Sequence, residues 1–204
     1  MDLKIGKLTV RPGFPLFAAA LTVTFGTELM LPTVLAAAVH EAGHILAIII
    51  LGGSIRSVAA TAGGLEIRYG GDLTMLREAV IALAGPAAGV FFAFWAAHLT
   101  RGGEVITLYR AAGASMALSL INLLPVSVLD GGAALRLALS HFLPPDASCR
   151  VSLAADMLIC GGTFTAGILM LLSNTHNFSL AICAITAWLA CCKKRRMGVE
   201  FRYC

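Results

Sequence analysis

His40-Glu41-Ala42-Gly43-His44 stands inside an apolar run that extends from Leu29 to Gly52. Two histidines four residues apart occupy one face of a helix, close enough to share one metal ion. In an H-E-x-x-H pattern the glutamate beside the first histidine is placed to act as a general base towards water. Ionisable side chains at membrane depth are expensive, so they mark function rather than filler. The run is also long enough to cross a bilayer. One stretch therefore bears on both the fold class and the chemistry.

Working outward, composition agrees with a membrane setting. The chain has 204 residues, of which 58% are hydrophobic and 13% charged, with a mean hydropathy of +0.86. Soluble domains average about 45–50% apolar and about 25% charged residues. The length accommodates about six spans of roughly 20 residues and little else. The reading is one domain over residues 1–204, an all-α polytopic membrane protein with a small membrane-associated β-hairpin. Internal repeats and low-complexity segments are absent.

The expected spans lie at about 14–30, 33–51, 78–99, 105–125, 151–172 and 178–192. Lys4, Lys7 and Arg11 precede the first, which reads as an uncleaved span because the apolar character continues into the motif. Pro32 fits a break or a first helical turn before the second span. Residues 54–72 differ from their surroundings. Ile55, Val58, Leu65, Ile67 and Tyr69 alternate imperfectly with polar residues, and Gly63-Gly64 and Gly70-Gly71 punctuate them. This predicts two short strands around a turn. Gly85-Pro86-Ala87-Ala88-Gly89, in the third span, spaces small residues four apart and so invites close helix approach. A short amphipathic helix over about 132–142 is expected to stop at Pro144-Pro145.

The net charge of +4 does not point to nucleic acid. Lys193-Lys194-Arg195-Arg196 directly follows an apolar segment, the usual place for a topology anchor, and no aromatic residues interleave it. Most other basic residues fall in the N-terminal segment and in the loops after spans two and four. That asymmetry predicts that both termini are cytosolic. The six cysteines include no C-x-x-C pair, so they read as small apolar residues with free thiols.

A catalytic zinc takes three protein ligands and keeps one open position. His40 and His44 supply two. Candidates for the third are His98, His141, His176, Glu28, Asp130 and Asp156. Asp130 is the strongest. It ends the segment Asn122-Leu123-Leu124-Pro125-Val126-Ser127-Val128-Leu129-Asp130 and precedes Gly131-Gly132. Pro125 breaks the span, and irregular backbone at membrane depth persists only where protein or a cavity surrounds it. The glycines allow a tight turn and a close approach to a metal. Among the others, Asp156 suits the positive end of span five or the orientation of a ligand histidine. Glu28 reads as facing water, and Arg110 as snorkelling to the outer interface.

H-E-A-G-H in one span and N-x-x-P-x-x-x-x-D-G at the end of a later one, about 80 residues on, resemble the site-2 protease family of intramembrane zinc metalloproteases. Ala84-Gly85-Pro86-Ala87-Ala88-Gly89 is similar to that family's glycine-proline element. The resemblance covers the chain from about Leu16 to Leu189. It implies one catalytic Zn2+ held by His40, His44 and Asp130. It implies that Glu41 activates water and later protonates the leaving amine. Asn122 would hold the substrate backbone or an oxyanion. The substrate would be a membrane protein or peptide, paired as an added strand with the edge of the 54–72 hairpin. Lacking a PDZ insertion and a CBS tail, the chain is most similar to the sporulation-type branch, and its small size suggests a prokaryote. Two further function classes fit ionisable groups in spans: a divalent-metal transporter or sensor, and a non-catalytic protein that binds a membrane partner. Zinc flux and tolerance of Glu41→Gln would mark the first, and the presence of Glu41 beside the histidines speaks against the second.

Overall fold

The computed structural model describes residues 3–5, 8–10, 26–61, 64–100, 105–172, 185, 187–189 and 191–192. Span one over residues 14–25, most of span six, His176 and the basic tail lie outside the described residues. The chain divides into two compact units, Met1–Ile121 and Asn122–Cys204.

Among the described residues, the first unit holds a sheet and three helices. Its strands are β1 (Leu3–Ile5), β2 (Leu8–Val10), β3 (Ser54–Thr61) and β4 (Gly64–Gly70), and its helices α1 (Thr27–Ile50), α2 (Met75–Leu99) and α3 (Ile106–Asn122). The expected hairpin is β3–β4, antiparallel, with Val58 opposite Ile67 and an irregularity between Ile55 and Ser57. The sheet is larger than that hairpin. β2 pairs parallel with β3, placing Leu8 opposite Val58, and β1 pairs antiparallel with β2, giving the order β1-β2-β3-β4. Three-residue strands show no periodicity in sequence, and the parallel pairing is non-local, so neither was expected.

Pro32 does not break the chain. α1 runs from Thr27 through Pro32 to Ile50, and its N-cap Gly26 has a φ of 76°, in the left-handed region. A proline near the start of a helix removes one backbone donor. Here Thr33 Oγ1 donates to Leu29 O at 2.7 Å, beside the interrupted bond. Hydroxyl side chains commonly re-satisfy freed backbone groups in this way inside membranes.

α1, α2 and residues Asp146–Leu169 are each long and apolar enough to cross a membrane. Side-chain size on α2 is distributed inside out relative to a soluble helix. Gly85, Pro86, Gly89, Ala93 and Ala96 are buried, whereas Phe91, Phe94 and Trp95 are exposed. Lipid is as apolar as the large side chains, so burying them gains little, while small residues let backbones approach. The protein is thus a polytopic, mostly helical membrane protein.

Helix contacts in this unit follow that logic. A Cβ at Gly43 on α1 would lie 2.6 Å from Ala84 O and 2.7 Å from Ala88 Cβ on α2. On the other side of α2, Ser115 Oγ of α3 donates to Gly89 O at 2.9 Å, and Ser119 Oγ fills the space a Cβ of Gly89 would need. Phe92 and Ala96 pack there with Ala111 and Ala112.

The second unit contains α4 (Asp130–Phe142) and α5 (Pro145–Leu172). Pro144-Pro145 does end α4, but Pro145 is already the first residue of α5, so that helix begins earlier than expected. Ser140 and Ser148 hydroxyls lie 3.1 Å apart, and each also donates to Arg136 O, tying the two helices at their junction. Cys149 is disulfide-bonded, contrary to the expectation of free thiols, whereas Cys160, Cys191 and Cys192 are free.

Gly43→Val should separate α1 from α2 and destabilise the protein by about 1–3 kcal/mol. Gly113→Ala, which meets nothing within 4 Å, should be neutral in the same thermal-unfolding measurement in detergent.

Candidate metal centre

The H-E-A-G-H segment forms little more than one turn of α1, in an Ala-rich stretch with good helix propensity. His40 is buried and His44 half-buried. Their Nε2 atoms stand 3.3 Å apart, with the rings nearly perpendicular at 78°. His44 Nδ1 lies 2.8 Å from Ile81 O on α2. A carbonyl can only accept, so Nδ1 carries the proton and Nε2 presents its lone pair.

The position of the His44 ring depends on α2. A Cβ at Gly85 would collide with Nε2, Cε1 and Cδ2 of that ring. One residue on, Pro86 has no N–H to give Ala82, which opens the helix turn beside the carbonyl that holds His44. The glycine-proline element thus does two local jobs: it makes room for the ring and loosens the backbone that orients it.

The pair fits a metal. Bonds of about 2.0–2.1 Å to two histidine nitrogens in a tetrahedral site put those nitrogens roughly 3.3 Å apart. The helix itself sets this separation. Glu41, next to His40, is half-buried.

In this first unit two of the third-ligand candidates drop out. Glu28 sits roughly 18 Å along α1 from His40, and His98 roughly 20 Å along α2 from Gly85, at 1.5 Å per residue. Glu28 also pairs with Arg110 of α3 at 2.8 Å. Glu28 is exposed, as expected for a side chain facing water, and the ion pair with Arg110 adds a contact between helices that the sequence did not show.

In the second unit Asn122, the last residue of α3, is half-buried and precedes an irregular stretch. Val126 N donates to Leu124 O at 2.7 Å and Leu129 N to Val126 O at 2.8 Å. Asp130 is the first residue of α4 and half-buried. Gly131 and Gly132 permit the tight turn that was expected. A Cβ at Gly131 would meet Leu123 O and Leu124 O, and one at Gly132 would meet Val126 O and Ser127 N. They let α4 start directly against the preceding backbone. His141 is exposed at the end of α4, beside Phe142.

Asp156 is the residue that sequence reasoning underrated. It lies about three turns into α5, too far for the helix end to matter. It is 0% exposed, and its two oxygens accept from Ser127 N and Ser127 Oγ, each at 2.7 Å. The signal was there: a lone carboxylate in an apolar span.

The architecture defines a class: a polytopic membrane protein with a small sheet and a histidine pair able to hold a metal. Its fold matches the site-2 protease from Methanocaldococcus jannaschii, with a TM-score of 0.67, 20% identity, and 99% of this chain and 97% of that one covered. In sequence it is similar to stage IV sporulation protein FB of Bacillus subtilis (strain 168), 27% identical over 169 residues. That match covers 78% of this chain and 57% of the relative, so the chain spans little more than half the relative's length. No protein-family model matches the chain. The resemblance to the site-2 protease family, read first from two motifs, holds in sequence and in fold.

Gly85→Ala should displace the His44 ring and lower the metal retained on purification about tenfold or more. The measurement is metal content by elemental analysis, with helicity unchanged.

Proposed function

We propose that this protein is an intramembrane zinc metalloprotease that hydrolyses peptide bonds in or near transmembrane segments of membrane proteins. The observation that carries this reading is the His40–His44 Nε2 pair, 3.3 Å apart with one tautomer fixed by Ile81 O. The donor set, two imidazoles and a carboxylate, is one that zinc accepts in hydrolytic sites. When bound, zinc supplies Lewis acidity that polarises a carbonyl and makes water easier to deprotonate.

Asp130 is the third ligand in this reading. It falls in the family-like N-x-x-P-x-x-x-x-D-G motif, and three of the other candidates are otherwise engaged or distant: Asp156 with Ser127, Glu28 with Arg110, His98 far along α2. Glu41 takes the proton from water and returns it to the departing amine. Asn122, at the end of α3, holds the substrate backbone or the developing oxyanion through its amide.

A helical substrate hides its scissile peptide, so it must unwind first. An unwound segment can be held by strand addition. The hairpin's β3 edge is filled by β2. In this reading the substrate pairs with the edge of the 54–72 hairpin, and among the described residues β4, Gly64–Gly70, is the hairpin strand with no second strand beside it. The protein works as a multi-pass component of a prokaryotic cell membrane with both termini cytosolic, as the basic residues favour.

The test is co-expression of wild type and Glu41→Gln with tagged single-pass membrane proteins. Wild type should yield shortened products, and Glu41→Gln should lower their rate by about 100-fold or more with zinc content unchanged. Equal cleavage by both would overturn the mechanism.

A further inference from the structure

We infer that Asp156 is a positioning residue that fixes the turn carrying Asp130 and so sets the affinity and geometry of the metal site. This rests on the reading of Asp130 as third ligand.

The segment from Leu123 to Leu129 belongs to neither α3 nor α4, and it lies in a stretch too apolar to be solvated easily. Its backbone groups need partners. Two come from its own turns, Val126 N to Leu124 O and Leu129 N to Val126 O. Pro125 offers no donor. The N–H of Ser127 is taken by Asp156 Oδ1, and the Ser127 hydroxyl by Asp156 Oδ2, both at 2.7 Å. These are short bonds that fix one residue at two points.

Ser127 is a central residue of the turn closed by Leu129 N and Val126 O, and α4 begins immediately after with Asp130. Ala133 N donates to Leu129 O at 3.0 Å, so the turn and the first turn of α4 share a residue. Gly132, pressed against Val126 O and Ser127 N, removes the remaining slack. A shift of Ser127 therefore moves the start of α4 and the Asp130 carboxylate with it. Asp156 itself is buried about three turns into α5. Partners that orient a ligand typically change metal affinity 10- to 100-fold when removed.

The experiment uses the full chain in detergent. Wild type, Asp156→Ala, Asp156→Asn, Ser127→Ala and Asp130→Ala are compared in three measurements. These are zinc affinity by chelator competition, the visible absorption of the cobalt(II)-substituted protein, and thermal unfolding without metal. Asp156→Ala should bind zinc at least about tenfold more weakly and alter the cobalt spectrum. Asp156→Asn should retain most of the affinity, because its amide can accept from Ser127 N–H and donate to Ser127 Oγ. Wild-type affinity and an unaltered cobalt spectrum in Asp156→Ala, with Asp130→Ala impaired, would overturn the positioning role alone. Unimpaired zinc binding in Asp130→Ala would overturn the ligand assignment and the inference with it. Should Asp156→Ala fail to fold, Ser127→Ala decides. It loses one of the two bonds, and it should shift the cobalt spectrum while unfolding at the wild-type temperature. An unshifted spectrum in that variant overturns the inference.

Discussion

The histidine pair depends on how closely α1 and α2 can approach. In lipid no hydrophobic force drives two helices together, so contact rests on packing and on hydrogen bonds between backbones and side chains. Gly43 lets α1 lie against Ala84 and Ala88, and Gly85 leaves room for the His44 imidazole. Only at that separation can His44 Nδ1 reach Ile81 O. That bond decides which nitrogen faces His40. A wider helix pair would keep both histidines and lose the fixed tautomer, which is what turns two imidazoles into a directed pair of donors.

The second unit solves a different problem. An irregular stretch between helices must satisfy its own polar groups where little water is available. Tight turns satisfy some, glycines at 131 and 132 bring the α4 backbone within reach, and a buried carboxylate supplies the rest. Burying Asp156 is costly unless both oxygens are bonded, and both are. The arrangement makes the segment before Asp130 rigid although it has no regular structure.

The likeness to the Methanocaldococcus jannaschii structure is one of fold, at 20% identity. Low identity with a shared fold is what the packing argument leads one to expect. Lipid-facing positions such as Phe91, Phe94 and Leu158 accept any large apolar residue. Positions where backbones touch accept only small ones. The sheet adds a constraint on any strand-like partner, because β2 lies along β3 and leaves β4 at the boundary.

Much of this was legible in the sequence because it is local. The spacing of His40 and His44 is a property of one helix, the β3–β4 hairpin shows in alternation and glycine pairs, and the small-residue stripe of α2 shows in Gly85 to Gly89. Composition alone placed the chain in a membrane. What the sequence could not settle depends on partners far apart along the chain. Pro32 fitted a break or a first helical turn, yet α1 begins five residues earlier and continues through it. Glu28 and Arg110 looked independent and are paired. Asp156 looked like a helix-end carboxylate and instead holds Ser127. The parallel contact of β2 with β3 joins residues that no periodicity connects. Backbone periodicity acts over a few residues and can be read in order. The pairing of buried polar groups is decided only when the chain closes on itself, because each group must find whatever partner the packing brings near.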